Sequence, residues 1–309
     1  MMFKERVIFM GTPEIASVYL QSLIDSHFNI VAVYTQPPRK KGRGMQVQES
    51  SVQKLAQKHK IEVHCPVDLG FSAAQKELQD LHPDIIVVMG YGLLLPKFIL
   101  QLPRFGCINI HVSLLPRWRG AAPIEHAILN GDKITGLTIF KLVEKLDAGP
   151  IIAKDSMAID PHIDKNDLTT LLNSKGTKLL ISTLPDLFNK NVELEIQKED
   201  MATHASKITT EMRKLDFNQE ALTVYNRIRA FAPQPSAWFV FNKERIKIIK
   251  AKLKEGACEP STIVNDQFHI GCNNGIICPT IVQREGKKPM NADEFLRGFD
   301  FVAGQQINV

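Results

Sequence analysis

Residues 84–92 are Asp84-Ile85-Ile86-Val87-Val88-Met89-Gly90-Tyr91-Gly92, and this stretch indicates the fold class of the 309-residue chain. An unbroken apolar run that stops at two glycines is typical of a strand buried on both faces and followed by a tight loop. Similar runs occupy residues 6–10, 30–34 and 107–112, and stretches with helical spacing of apolar residues lie between them. Because strands that alternate with helices form parallel sheets, we expect a Rossmann-like α/β domain, with a mostly parallel sheet and helices on both faces.

The pattern changes after about residue 151. Residues 167–188 predict one long helix, and the polar stretch 190–206 predicts a linker. Beyond it, short apolar runs recur at roughly ten-residue spacing, which favours a small antiparallel β-barrel of the OB-like kind. These predicted strands are residues 238–241, 245–253, 261–264, 268–270 and 275–278. We therefore expect a first domain at 1–189 and a second domain at 207–309.

Composition and charge narrow the class of protein. Hydrophobic residues make up 44% and charged residues 23% of the chain, as in ordinary globular proteins, so wholesale disorder is not expected. Through Ala205 there are 23 Lys and Arg against 22 Asp and Glu, and after it 15 against 11. Most of the net charge of +5 therefore lies in the second domain, which is compatible with a polyanionic partner.

The cysteines and the apolar runs indicate the cellular compartment of the protein. The 5 cysteines are odd in number and include no CxxC pair, which disfavours a disulfide framework or a zinc knuckle. Free thiols favour a reducing compartment. The apolar run at residues 7–10 is too short for a signal peptide, and no run approaches the about 18 apolar residues of a membrane span. We expect a cytoplasmic protein and a monomer.

The loop after the first predicted strand does not have the pattern of a nucleotide site. Gly11-Thr12-Pro13 lies where a dinucleotide-binding loop would be, but there is no GxGxxG sequence, and Pro13 lacks the N–H that such loops use. No Walker A sequence occurs either. The fold is therefore expected without a bound nucleotide.

Two polar residues lie at the end of a predicted strand. Asn109 and His111 are two residues apart, so both side chains point to the same face. Ligands bind at the carboxyl ends of strands in open α/β sheets, although a buried Asn and His satisfied by their neighbours would be the commoner explanation of the pair alone. The next residues, 113–124, contain two prolines and two arginines around Trp118, which indicates a shaped loop rather than a helix or strand.

These motifs resemble the 10-formyltetrahydrofolate-dependent formyltransferase family. The resemblance is carried by Asn109-x-His111-x-Ser113-Leu114-Leu115-Pro116 and by Leu146-Asp147-x-Gly149. The string that continues through Ile124 is similar to the methionyl-tRNA branch of that family. Further similar stretches are residues 9–13, 35–37, 42–44, 91–96, 228–231, 286–290 and 295–298. Val112, Lys145 and Ala148 differ from the residues usual in the family.

The resemblance implies a reaction and a set of roles. The formyl group of 10-formyltetrahydrofolate would pass to the α-amino group of methionyl initiator tRNA. Asn109 and His111 would each donate a hydrogen bond to the formyl oxygen, and Asp147 would orient the imidazole. Proton transfer would pass through His111, Asp147 or an ordered water. No metal and no nucleotide are implied.

The folate is expected beside the loop that follows His111. By resemblance it would contact Ser113, Leu114, Leu115 and Pro116, a small and apolar loop whose backbone groups would be free to bind the edge of the pterin. Gly90 and Gly92 would permit close approach of the backbone to the same ligand. The first domain would thus be the folate-binding catalytic domain.

Two cationic stretches are expected to contact the tRNA. The first is the loop after the second strand, which contains Arg39, Lys40, Lys41 and Arg43. The alternative explanation of this stretch is an ordinary solvated surface loop. In residues 245–254, basic and apolar residues alternate with a phase slip at Ile248-Ile249, which predicts a bulge. The slip leaves a basic face that includes Lys247, Lys250 and Lys252 and could follow phosphates, or could simply be a charged outer face.

Two other functions remain open. The first is a folate-dependent formyltransferase that acts on an amino sugar or another small amine, which would need neither the cationic loop nor a basic second domain. The second is a non-catalytic RNA-binding module, against which the intact set of Asn109, His111 and Asp147 argues.

Overall fold

The computed structural model of the chain describes residues 3–41, 44, 46–299 and 301–307, with Lys41 described by its backbone alone. The strands are β1 (Arg6–Gly11), β2 (Asn29–Tyr34), β3 (Arg39–Lys41), β4 (Gln46–Gln48), β5 (Val63–His64), β6 (Ile85–Met89), β7 (Cys107–His111), β8 (Arg119–Gly120), β9 (Ile134–Lys141), β10 (Ile151–Ala158), β11 (His204–Ala205), β12 (Ala237–Phe241), β13 (Glu244–Lys254), β14 (Ile270–Cys272), β15 (Gly275–Arg284) and β16 (Met290–Asn291). The helices are α1 (Glu14–Asp25), α2 (Ser51–Lys58), α3 (Ser72–Asp80), α4 (Lys97–Gln101), α5 (Pro123–Leu129), α6 (Lys165–Phe188), α7 (Ala221–Phe231) and α8 (Ala292–Leu296).

The chain forms two compact units. The first unit consists of Met1–Gly120, Gly136–Met157 and Leu171–His204, and the second of Ala121–Thr135, Ala158–Thr170 and Ala205–Val309. Two segments that the sequence places in the first domain, 121–135 and 158–170, thus belong to the second unit. The domain limits predicted at 189 and 207 stay a prediction.

The first unit is built on a seven-stranded sheet in the order β10-β9-β7-β6-β1-β2-β5. Strands β7, β6, β1, β2 and β5 pair in parallel with their neighbours in the sheet, and β9 is antiparallel to β7. Every residue of β6 is buried, as the unbroken apolar run predicts. This arrangement confirms the Rossmann-like, mostly parallel sheet and places the ends of β6 and β7 side by side.

A hairpin occupies the long connection between β2 and α2. Its strands β3 and β4 pair with Arg39 opposite Gln48. At its base the buried hydroxyls of Thr35 and Ser50 lie 2.8 Å apart. Ser50 also caps α2 by accepting a hydrogen bond from the Gln53 amide at 2.9 Å, so that one side chain both closes the hairpin and starts the helix.

The second unit contains an antiparallel sheet in the order β12-β13-β15-β14, with β16 paired to β15. This confirms the antiparallel C-terminal domain. Its core is rich in aromatic side chains, among them Phe239, Phe268 and Phe295, which are at most 2% exposed. Helices α5 and α7 of the same unit pack against each other. In the part of the chain that the structure describes, no helix is both long and apolar enough to cross a bilayer.

The details of the C-terminal strands differ from their prediction in two places. The strand expected at 261–264 does not form, because Thr262 and Ile263 make only single bridges, with Gln306 and Ile270. The strand expected at 268–270 is instead β14, at Ile270–Cys272. The bulge predicted at Ile248-Ile249 is confirmed, since the register of β13 against β15 shifts between Ile248 and Lys250 and both isoleucines are buried.

Candidate active site

Strand β7 places Asn109 and His111 at the carboxyl edge of the sheet. Asn109 lies opposite Val88 of β6 on one side and Phe140 of β9 on the other. His111 lies opposite Thr138 of β9. The flanking strands therefore hold both side chains on rigid backbone, and the alternation of the strand puts them on one face, as predicted.

The His111 ring is buried and held on several sides. Its Nε2 lies 2.8 Å from the Trp118 carbonyl oxygen, and its Nδ1 lies 3.9 Å from Oδ2 of Asp147. The Phe140 ring packs edge-on, with centroids 6.5 Å apart. A carbonyl oxygen can only accept, so Nε2 carries a proton and donates it to Trp118. Donation from His111 to a substrate oxygen, which the resemblance implies, would consequently require the Nδ1 side of the ring.

Asp147 is buried beside His111 in a left-handed backbone conformation, with φ of +49°. Its Oδ2 accepts a hydrogen bond from the Gly120 amide at 2.8 Å, and the same oxygen faces His111. Left-handed backbone is costly for most residues but tolerated by aspartate. A side chain at Gly149 would collide with the Lys141 carbonyl oxygen, so the loop can lie tightly against β9 only with glycine there. The carboxylate is thus fixed by its surroundings before any substrate binds.

Four backbone groups of the loop at residues 113–116 make hydrogen bonds within the protein. The Ser113 carbonyl accepts from the Thr138 hydroxyl at 2.7 Å, and the Leu115 amide donates to that hydroxyl at 3.1 Å. The carbonyls of Leu114 and Pro116 accept from the amides of residues 117 and 203. These hydrogen bonds hold the loop in shape, and the remaining backbone groups of the loop are the ones expected to bind the edge of the pterin. Its contact with folate stays a prediction.

Gly90 and Gly92 are exposed at the end of β6, with φ of +58° and +85°. A side chain at Gly92 would collide with the amide of Gln36. Leu94, two residues further on, is 83% exposed. The contact of Gly90 and Gly92 with folate stays a prediction.

The basic residues expected to contact tRNA are distributed over both units. In the first unit, Arg39 and Lys40 are exposed on β3, whereas the side chain of Lys41 and all of Arg43 lie outside the described residues. In the second unit, Lys250 and Lys252 are exposed on β13 and Lys247 is half-buried.

Sequence patterns did not single out three groups that contact the site: the Gly120 amide, the Thr138 hydroxyl and the Gln197 side chain. Gln197 lies in the predicted linker, yet it is buried and donates to the Asp147 carbonyl at 2.8 Å. No local periodicity links residues 50 positions apart. In the described ranges, no group of three or more His, Cys, Asp or Glu side chains is placed to hold a metal ion.

Comparison with known proteins gives matches over both units. The formyl transferase family model matches residues 5–184, and the model of the formyl transferase C-terminal domain matches residues 207–300. Methionyl-tRNA formyltransferases of Novosphingobium aromaticivorans and Brucella abortus are each 41% identical, over 98% and 95% of this chain and 99% and 97% of their own lengths.

A solved structure supports the fold. The N-formyltransferase from Helicobacter canadensis, in complex with folinic acid and dTDP-3-aminofucose, superposes with a TM-score of 0.68 at 21% identity, over 89% of this chain and 99% of its own. At that identity the likeness concerns the fold alone. The two family models and the near-full-length relatives together establish that the chain belongs to the formyltransferase family.

Proposed function

We propose that the chain transfers the formyl group of 10-formyltetrahydrofolate to the α-amino group of methionyl initiator tRNA, giving formylmethionyl-tRNA for translation initiation. The observation that carries the proposal is the position of Asn109 beside the His111–Asp147 pair, at the end of β7, in a chain 41% identical to methionyl-tRNA formyltransferases over nearly its full length. The proposal includes a monomeric, cytoplasmic enzyme with a catalytic domain at 1–189, a linker at 190–206 and a tRNA-binding domain at 207–309.

The chemistry is acyl transfer from one nitrogen to another. The neutral α-amine attacks the formyl carbon, and the electron pair of the C=O bond moves to oxygen. When the oxyanion collapses, the bond from the formyl carbon to the folate nitrogen breaks; the attacking nitrogen loses a proton and the folate nitrogen gains one. An α-amine has a pKa of about 7.7–8.0, so a usable neutral fraction exists near pH 7 and stabilising the oxyanion is the larger need.

Each residue of the site has a role in this scheme. The Asn109 amide donates to the oxyanion from rigid backbone on β7. His111 presents the Nδ1 side of its ring to Asp147, whose carboxylate is proposed to orient the imidazole. The proton leaves the amine through His111, Asp147 or an ordered water. The folate is proposed to lie among Ser113, Leu114, Leu115, Pro116, Gly90 and Gly92.

Two observations favour tRNA over an amino sugar as the acceptor. The relatives at 41% identity are named methionyl-tRNA formyltransferases, whereas the N-formyltransferase solved with dTDP-3-aminofucose is 21% identical. The exposed Lys250 and Lys252 on β13 also supply a cationic surface that a small amine would not need. Arg39, Lys40, Lys41 and Arg43 are proposed to contact the same tRNA.

The test is direct. The protein is incubated with 10-formyltetrahydrofolate labelled in the formyl group and with methionyl initiator tRNA, and the ester is hydrolysed to recover formylmethionine. Uncharged tRNA and a dTDP-linked amino sugar serve as alternative acceptors. Label that appears in methionine confirms the proposal, and label that appears only in the sugar would establish the small-amine alternative instead.

A further inference from the structure

The loop that carries Asp147 is held by hydrogen bonds from a residue that lies far from it in the sequence. The Gln197 side-chain amide donates hydrogen bonds to the carbonyls of both Asp147 and Gly149, each at 2.8 Å. Gln197 is 7% exposed and comes from a stretch without helix or long strand. Two buried hydrogen bonds to carbonyls on either side of residue 148 fix the path of the backbone through the loop.

The orientation of Gln197 is itself fixed by Arg119. The Arg119 side chain is 1% exposed, and its Nε and Nη2 donate to Oε1 of Gln197 at 3.1 and 2.9 Å. Because the guanidinium only donates, it holds the oxygen of the amide and turns the NH₂ group toward the two loop carbonyls. The next residue, Gly120, donates its backbone N–H to the Asp147 carboxylate. Segment 119–120 therefore acts on Asp147 both directly and through Gln197.

Glu199 accepts hydrogen bonds from both Arg119 and Lys145 at the surface. Nη1 of Arg119 donates to its two carboxylate oxygens at 3.0 and 3.2 Å, and the Lys145 ammonium lies 2.6 Å from Oε2. Hydrogen bonds from Lys145 and Arg119 hold the pKa of Glu199 below its ordinary value. Lys145 is one of the residues that differ from the family pattern. Its contact with Glu199 ties the exposed start of the Asp147 loop to the same segment, 197–199.

We infer that Gln197, held by Arg119, is a positioning residue for formyl transfer, which keeps Asp147 in its left-handed conformation with Oδ2 facing Nδ1 of His111. Gln197 touches no reacting atom in this scheme and acts through the backbone of the loop. The inference rests on the proposed function, since positioning has a meaning only for a reaction in which the His111–Asp147 pair takes part.

The substitution Gln197→Glu distinguishes the role of the amide oxygen, which accepts from Arg119, from that of the amide NH₂ group, which donates to the loop. A carboxylate keeps an oxygen for Arg119, so the buried guanidinium stays paired, but it cannot donate to the carbonyls of Asp147 and Gly149. We expect a folded protein whose kcat is at least about tenfold lower, because displacement of a reacting group by about 1 Å can cost about a hundredfold. KM for methionyl-tRNA and for folate should stay within about twofold, since neither binding surface is altered.

A double variant and a matched control make the result specific. In an Asp147→Ala background, Gln197→Glu should lower the single-turnover rate no further, because coupled groups are non-additive. Glu195→Gln is the control: Glu195 lies two residues before Gln197, is exposed, and pairs with Lys154 at the surface, so the rate of this variant should equal that of the unaltered protein.

Each outcome decides the inference. Losses from Gln197→Glu and Asp147→Ala that multiply, or a folded Gln197→Glu protein with unchanged kcat, would overturn it. A Gln197→Glu protein that does not fold would also overturn it, by assigning Gln197 to folding rather than positioning. Failure of the unaltered protein to formylate methionyl-tRNA would instead count against the proposed function, which keeps the two conclusions apart.

Discussion

At the scale of single residues, the division of work among Asn109, His111 and Asp147 follows from their partners. His111 uses Nε2 to hold the Trp118 carbonyl and turns Nδ1 toward Asp147, whose carboxylate already accepts from the Gly120 amide. Asn109 is half-buried on the same strand face. The Asp147 carboxylate is therefore placed to orient the His111 ring, and Asn109 lies on the same face of β7 as that ring.

Asn109→Ala should lower kcat strongly and leave the fold nearly intact. Removal of one oxyanion-hole donor costs about a hundred- to a thousandfold in rate, and the half-buried side chain of Asn109 contributes little packing. Steady-state formylation together with a thermal melt by circular dichroism measures both effects. A folded variant that keeps more than about a tenth of the rate would limit Asn109 to a structural role.

His111→Ala, Asp147→Ala and the double variant should lose similar amounts of activity. The two side chains face each other at 3.9 Å and serve one function, and groups that act as a unit are non-additive when removed. Single-turnover rates of the three variants at saturating substrates give the comparison. Fully additive losses would mean that the two residues do not share a role.

The sequence predicts those parts of the site whose residues lie close together in the chain, and it does not predict contacts between residues far apart in the chain. Asn109 and His111 follow from the two-residue period of one strand, and Asp147 follows from a motif resemblance. Gly120 and Gln197 reach Asp147 from 27 and 50 residues away, and no local pattern encodes such contacts. The left-handed backbone of Asp147 is likewise set by its packing and not by its own preference.

At the scale of elements, prediction succeeds where burial imposes a period. The unbroken run of β6 and the phase slip in β13 both appear where expected. Strands β9 and β10 do not stand out in the sequence: β9 is buried at nearly every position but holds a glycine and polar residues, and β10 has only one fully buried residue, Ile151. The strand predicted at 261–264 is replaced by single bridges of Thr262 and Ile263.

Strand β13 provides the prediction at this scale. Lys250→Gln combined with Lys252→Gln should lower kcat/KM for methionyl-tRNA and reduce the slope of log(kcat/KM) against log[salt] by about 1.5, since each lost phosphate contact removes about 0.7–0.9 from the slope. Folate affinity should not change. The exposed pair Lys58→Gln and Lys178→Gln removes the same charge from the first unit and serves as the control. Equal slopes in both double variants would make β13 an ordinary charged face.

At the scale of the whole molecule, each unit contains at least one deeply buried thiol. Cys107 lies in β7 of the first unit and Cys272 in β14 of the second, and burial raises the pKa of each to about 12. All five cysteines are free. The two thiols therefore report on the two cores independently.

Neither thiol should be alkylated in the native protein at pH 8. A thiol with a raised pKa stays protonated below it, so about one in 10⁴ would be ionised at pH 8, against about a quarter of ordinary thiols. Pulse alkylation along a urea titration, followed by mass spectrometry, should label Cys107 and Cys272 only when their own units unfold. Half-buried Cys65 and Cys258 should react before them. Rapid labelling of Cys107 or Cys272 without urea would contradict the packing described.

The hydrogen bonds from Gln197 to the Asp147 loop also have a consequence for the time course of synthesis. A nascent chain that has emerged only as far as residue 189 already contains Asn109, His111 and Asp147, together with the loop at 113–116. It still lacks the side chain that holds the Asp147 loop, so the loop can reach its final form only after residue 197 leaves the ribosome. The last part of the site to mature is therefore encoded after all the residues that the reaction touches.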